Sequence, residues 1–132
     1  MVILDTSIII DHLRNQKSST PSLLIRFVTK YPEEILALSV ISIQELYEGK
    51  STLITKKENE LLAILSPLKI LLYDYQTAKL AGTIARDISS PLELADCAIG
   101  ATAIINDCKV LTLNTKDFAK MAEVSLYDLK NL

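Results

Sequence analysis

At 132 residues the chain has room for one hydrophobic core, so a single domain spanning 1–132 is expected. Hydrophobic residues make up 49% and charged residues 23%, and 14 Lys+Arg against 16 Asp+Glu leave a formal charge of −2. That balance describes a globular protein and excludes a nucleic-acid binder that works through an overall basic field; any nucleic acid has to be held by local patches or by metal. In chain order, short aliphatic runs alternate with longer helical patterns: "VIL" then "SIIIDHLRN"; the polar loop "NQKSSTPS" leading into a helix at Pro21; "ILALSV" then "SIQELYEG" and "KKENELLAILSPL"; "KILLY" then "YQTAKLAGTIARDIS". The order repeats with "PLELADCAIGATAIIN", "KVLTLN", "TKDFAKMA" and a last short run, "VSLYDL". This βαβα order predicts an α/β domain with a mostly parallel sheet and helices on both faces.

The two cysteines, Cys97 and Cys108, have no CxxC spacing and suit buried thiols in a reducing compartment. Asp5 breaks the only N-terminal apolar run, no basic stretch precedes it, and no apolar run approaches about 18 residues. A cytoplasmic protein without membrane contact is therefore expected. A mean hydropathy of +0.28 predicts an apolar surface patch and self-association, most simply as a homodimer.

In a parallel sheet, ligands bind at the carboxyl ends of the strands. The residues at those junctions are Asp5 after "VIL", Glu45 after "ILALSV", Asp96 in the helix before "KVLTLN", and Asn114 and Asp117 after it. Each acid also has a structural reading. Ser42-Ile43-Gln44-Glu45 forms a capping box, Asp117 lies in the first turn of a helix capped by Asn114 or Thr115, and Asp5 with Thr6 and Ser7 fits the cap of a helix beginning near Ile8. Asp96 is harder to explain that way. Ser90-Pro91-Leu92-Glu93 resembles a capping box with Pro at the first helical position, which places Asp96 inside an apolar helix and beyond capping; a start near Leu94 is the alternative. A buried carboxylate without a partner costs several kcal/mol on typical scales.

Converging carboxylates raise one another's pKa unless a cation lies between them. Oxygen-rich sites suit Mg²⁺ or Mn²⁺, whereas Zn²⁺ favours His and Cys. His12 is the sole histidine and shares a helix with Ile8, Ile9 and Leu13, which argues for a structural role and against a Ser/His/Asp triad. Gly49, Gly82 and Gly100 are isolated and build neither a GxGxxG turn nor a P-loop, which excludes the common nucleotide cradles.

With those residues in place, the chain resembles the PIN-domain family of metal-dependent ribonucleases, and within it the VapC-like toxins of toxin-antitoxin pairs. The resemblance rests on "ILDTSIIIDHL", "SVISIQELYEG", "ELADCAIGATAI" and "VLTLNTKDF" in that order, and covers essentially the whole length. It implies a PIN-like three-layer sandwich with a five-stranded, mostly parallel sheet. It also implies an acidic metal site of Asp5, Glu45, Asp96 and Asp117, with Thr6 or Ser7 as the hydroxyl beside the first acid and Asn114 as polar support. Mg²⁺ or Mn²⁺, an RNA substrate, a homodimer and an antitoxin that enters the active-site groove are further implications. Arg14, Lys17, Lys50, Arg86 and Lys116 are candidate phosphate contacts or plain surface charges. The rival readings are a receiver-like signalling domain with Asp74 as phosphoacceptor and Lys116 as its partner, and a PIN-like RNA-processing or binding module without an antitoxin.

Overall fold

A computed structural model describes residues 1–132. Four strands, β1 (Val2–Leu4), β2 (Leu36–Ser39), β3 (Lys69–Leu71) and β4 (Lys109–Leu111), form one sheet in the order β3-β2-β1-β4, and every pairing is parallel. The register sets Leu4 beside Leu38 on one side and Leu111 on the other. All of β1 is buried, so it carries aliphatic residues on both faces rather than an alternating pattern.

Successive side chains of β1 enter different cores, as the two-residue period of a strand requires. Val2 and Leu4 pack with Ile8 and Ile9 of α1 (Thr6–Arg14), Phe27 of α2 (Leu23–Lys30), Leu46 of α3 (Val40–Glu48) and Leu61 of α4 (Thr55–Leu65). Ile3 packs on the opposite face with Ile99 of α6 (Leu94–Ile105), Phe118 of α7 (Thr115–Phe118) and Met121; Ile84 of α5 (Tyr75–Asp87) joins this layer. The result is the expected three-layer α/β sandwich. Gly100 lets α6 lie against the α7 side, since a Cβ there would come within 2.6 Å of Met121 Sδ.

The sheet has four strands where five were expected. "VSLYDL" contributes one parallel bridge, Val110 to Leu126, in which Val110 N donates to Ser125 O and Tyr127 N donates to Val110 O. The chain then leaves the edge because Tyr127 is held elsewhere: its ring meets Phe27 edge-on at 4.9 Å and its hydroxyl donates to Glu34 Oε1 at 2.7 Å.

Several helix starts also differ from the expected ones. Helix α2 begins at Leu23 behind a Ser22 cap, not at Pro21, and α1 begins at Thr6 rather than near Ile8. Helix α3 begins at Val40, capped by Ser39, whose hydroxyl accepts from Ile41 N. Ser42 is therefore not a cap. Helix α6 begins at Leu94: Glu93 is extended, the segment before it runs free of helix, and Leu92 packs partly buried against the core. This is the second of the two starts open from sequence. No helix is long and apolar enough to cross a membrane.

Candidate active site

The chain leaves β1 at Leu4 and β2 at Ser39 to enter helices at once, while β4 leads through Thr112 to α7. Strand β1 connects outward to β2 on one side yet pairs with β4 on the other, so the crevice for a ligand lies where β1 and β4 end side by side.

Asp5 sits at that point. It occupies the N-cap position of α1 but makes no capping bond; its Oδ2 accepts from Ser7 Oγ and from Thr112 Oγ1, each at 2.7 Å. At 4% exposure the carboxylate depends on these hydroxyls for compensation. Thr112 Oγ1 also accepts from Asn114 N at 2.8 Å, and Ser7 Oγ accepts from Leu113 N at 3.2 Å. The loop after β4 is thus folded around the acid at the end of β1.

Glu45 lies in the middle of α3, where no capping role is open to it. Thr6 Oγ1 is 2.7 Å from Glu45 Oε1 and 2.8 Å from Ser42 Oγ. An ionised carboxylate only accepts and Thr6 has one proton, so Thr6 donates to Glu45 and Ser42 donates to Thr6. Ser42 is completely buried, which fixes Thr6 from behind. Burial pushes the Glu45 carboxyl up, the Thr6 hydroxyl works against that, and Asp5, Glu48 and Glu93 add to the upward push.

Asp96 occupies the first turn of α6. Its carboxyl is pushed up to about 6, first by burial and then by the charges of Asp5, Glu93, Asp117 and Glu45. Asn114 reaches between two of the acids: its Nδ2 donates to Asp117 Oδ2 at 2.9 Å and to Asp96 Oδ2 at 3.4 Å. Asn114 stands at the N-cap position of α7 but its side chain serves these acids instead. Asp117 is held low by Asn114 and by Lys120, whose Nζ lies 3.3 Å from its other oxygen.

The fold therefore brings Asp5, Thr6, Ser7, Glu45, Asp96, Asn114 and Asp117 to one sheet edge. Three contributors escaped sequence reasoning. Thr112 falls inside the strand pattern "KVLTLN", although it follows β4 just as Asp5 follows β1; the signal that marks it is a hydroxyl at a strand end. Ser42 and Glu93 each fit a capping box in sequence, which hides them. Asp74 does not act as an open phosphoacceptor: its Oδ1 accepts from Thr77 N and Thr77 Oγ1, so it caps α5. His12 Nδ1 meets Ser22 Oγ at 2.7 Å and joins α1 to the start of α2.

The donor set suits a hard cation. It contains oxygen ligands alone, and Asp96, raised by burial and then by the neighbouring carboxylates, has no cation paired with it. No group of three His, Cys, Asp or Glu side chains is drawn closely enough together to clasp an ion.

Comparison with known proteins agrees with this architecture. The family model "PIN domain" matches residues 2–124. Ribonuclease VapC19 of Mycobacterium tuberculosis (strain CDC 1551 / Oshkosh) is 30% identical over 124 residues, covering 89% of this chain and 92% of the relative. Among solved structures, the DNA-bound VapBC of Salmonella typhimurium superposes with a TM-score of 0.83 at 23% identity, over 97% of both chains. A toxin-antitoxin complex from Klebsiella pneumoniae gives 0.75 at 25% identity, over 97% of this chain and 99% of the other. A family match along nearly the whole sequence, joined to a relative of this similarity, establishes that the chain belongs to the PIN-domain family.

Proposed function

We propose that this protein is an endoribonuclease of the VapC type, a cytoplasmic toxin that hydrolyses RNA phosphodiester bonds at the edge formed by β1 and β4 and is neutralised by an antitoxin. The observation that carries this reading is the gathering of Asp5, Glu45, Asp96 and Asp117 at one sheet edge, each carboxylate held by a side chain of that edge: Asp5 by Ser7 and Thr112, Glu45 by Thr6, and Asp96 and Asp117 by Asn114. The similarity to Ribonuclease VapC19 supports the activity, and the similarity to a toxin-antitoxin complex supports the partner.

Asp5, Glu45, Asp96 and Asp117 would hold Mg²⁺ or Mn²⁺. Such an ion supplies Lewis-acid activation of water and neutralises charge developing on the phosphate. The protein's own part is positioning: Ser7 and Thr112 fix Asp5, Thr6 fixes Glu45, and Asn114 sets the separation of Asp96 and Asp117. Glu45, raised by burial, is the acid suited to take up a proton from the attacking water.

Cleavage of a defined oligonucleotide should leave a 5′-phosphate and a 3′-hydroxyl, stop in EDTA, resume with Mn²⁺ or Mg²⁺, and fail in Asp5→Asn. Mass spectrometry of the product ends decides the case. A 2′,3′-cyclic phosphate, or undiminished cutting in EDTA, would overturn the mechanism.

We also infer a homodimer. Leu72, Tyr75 and Leu94 are 73%, 77% and 75% exposed, and they are among the large apolar side chains a second copy could cover. Sedimentation at micromolar concentration should show a dimer; a strict monomer counts against it.

A further inference from the structure

Among the four carboxylates gathered at the edge of β1 and β4, Asp117 alone is paired with a cation. Lys120 Nζ lies 3.3 Å from its Oδ1, while Asn114 Nδ2 donates to its other oxygen at 2.9 Å. The remaining ion pairs of the chain join Met1 to Glu34 and Arg86 to Asp87. Asp5, Glu45 and Asp96 are therefore held by uncharged donors only.

Packing on either side of the lysine puts it there. Helix α7 ends at Phe118 and the chain turns, with Lys120 N donating to Asp117 O and Met121 N to Phe118 O, each at 3.1 Å. Phe118 and Met121 are buried, and Met121 lies against Gly100 of α6, the helix that carries Asp96. The backbone under Lys120 is thus anchored relative to both acids. Its side chain is free to move: the Lys120 and Asp117 side chains are 33% and 37% exposed, and water and salt screen such a pair until it adds little to stability. An ammonium on a fixed base and a flexible four-carbon stem changes partner at small cost.

We propose that Lys120 is an exchangeable counter-cation: it neutralises Asp117 in the metal-free site and turns its ammonium to a backbone phosphate of the RNA when Asp117 serves as a metal ligand. This rests on the metal-dependent ribonuclease reading above. Like charges at one carboxylate repel, so Lys120 leaves Oδ1 as that oxygen becomes a ligand, and the phosphate brought to the same edge offers it a new anion. Lys120 then binds substrate while opposing metal loading, and its removal has opposite effects on the two ligands. A surface ion pair with a merely structural role has no such signature.

Free Mn²⁺ followed by electron paramagnetic resonance gives the metal affinity without RNA and without turnover. Lys120→Met, which keeps the apolar stem, should bind Mn²⁺ about three- to tenfold tighter than the wild type at low salt, the scale of one unit charge acting on a dication a few ångströms away in water. At saturating Mn²⁺ its KM for a short oligonucleotide should rise by about three- to tenfold, with kcat changed less, as expected when a contact to bound substrate is lost. Lys120→Arg should behave as the wild type in both assays. Lys116→Met removes an exposed cation of α7 that forms no ion pair, and should leave the Mn²⁺ affinity within about twofold, since salt screens a charge not engaged at the carboxylate. Unchanged Mn²⁺ affinity in Lys120→Met, or an equal gain in Lys116→Met, overturns the exchange; tighter Mn²⁺ with an unchanged KM overturns the contact to phosphate. A wild type that neither binds Mn²⁺ nor needs it for cleavage overturns the metal-dependent reading itself and this proposal with it, an outcome seen before any variant is compared.

Discussion

Asp96→Asn is expected to reduce RNA cleavage by about a hundredfold or more, the scale seen when one group that stabilises transition-state charge is removed, while making the metal-free protein more stable at neutral pH. The two effects have one origin. The Asp96 carboxyl has a folded-state pKa of about 6, above its ordinary value of 3.8, because it is buried among Asp5, Glu93, Asp117 and Glu45. A carboxylate raised on folding stabilises the fold below its unfolded pKa and loses that contribution as pH rises through the folded value. The metal-free wild type should therefore lose stability between pH about 4 and about 6 from this group, and Asn at position 96 should flatten that part of the curve. Adding Mn²⁺ should raise the melting temperature of the wild type and raise it less in the variant, since a ligand that binds the native state stabilises it by mass action. Thermal melts across this pH range, with EDTA and with Mn²⁺, make the comparison. If Asp96→Asn melts below the wild type at pH 8 in EDTA, or responds to Mn²⁺ as the wild type does, the acid cluster is not what raises Asp96.

Thr112→Val should cost about 2–3 kcal/mol of stability and lower cleavage at the same time, while Thr112→Ser should restore much of both. Valine keeps the shape but deletes the hydroxyl that donates to Asp5 Oδ2 and accepts from Asn114 N. Thr112 is 1% exposed, so water has little access to replace either bond. Removing one partner from a buried carboxylate is more damaging than an ordinary hydrogen-bond deletion, because the charge remains. Serine retains the hydroxyl and loses one methyl. A denaturant titration should show a lower midpoint with an unchanged slope, which marks a loss of stability without a change in the surface exposed. An unfolding midpoint equal to that of the wild type would show that Asp5 does not depend on Thr112.

The sequence by itself determined the elements and the acids. Aliphatic runs too short for helices, alternating with helical periods, specify a covered parallel sheet, and in such a sheet the strand ends share an edge; Asp5 and Asp117 were legible from that rule alone. Tertiary structure decided which of two local chemistries each polar residue performs. Ser42-x-x-Glu45 and Ser90-x-x-Glu93 both satisfy the capping pattern, and neither caps. In the first, Ser39 already satisfies Ile41 N, which frees Ser42 and Glu45 to meet Thr6 from a helix 36 and 39 residues away in sequence. In the second, the segment before the helix runs free of it, with Leu92 packed partly buried against the core, and the helix starts at Leu94, placing Asp96 in the first turn. The bonds of Thr112 and Asn114 to Asp5 and Asp96 likewise join separate elements. Local patterns state what a side chain is able to do; the partner that arrives through packing of distant segments selects among those options, and the register of β1 against β4 makes that selection for Asp5.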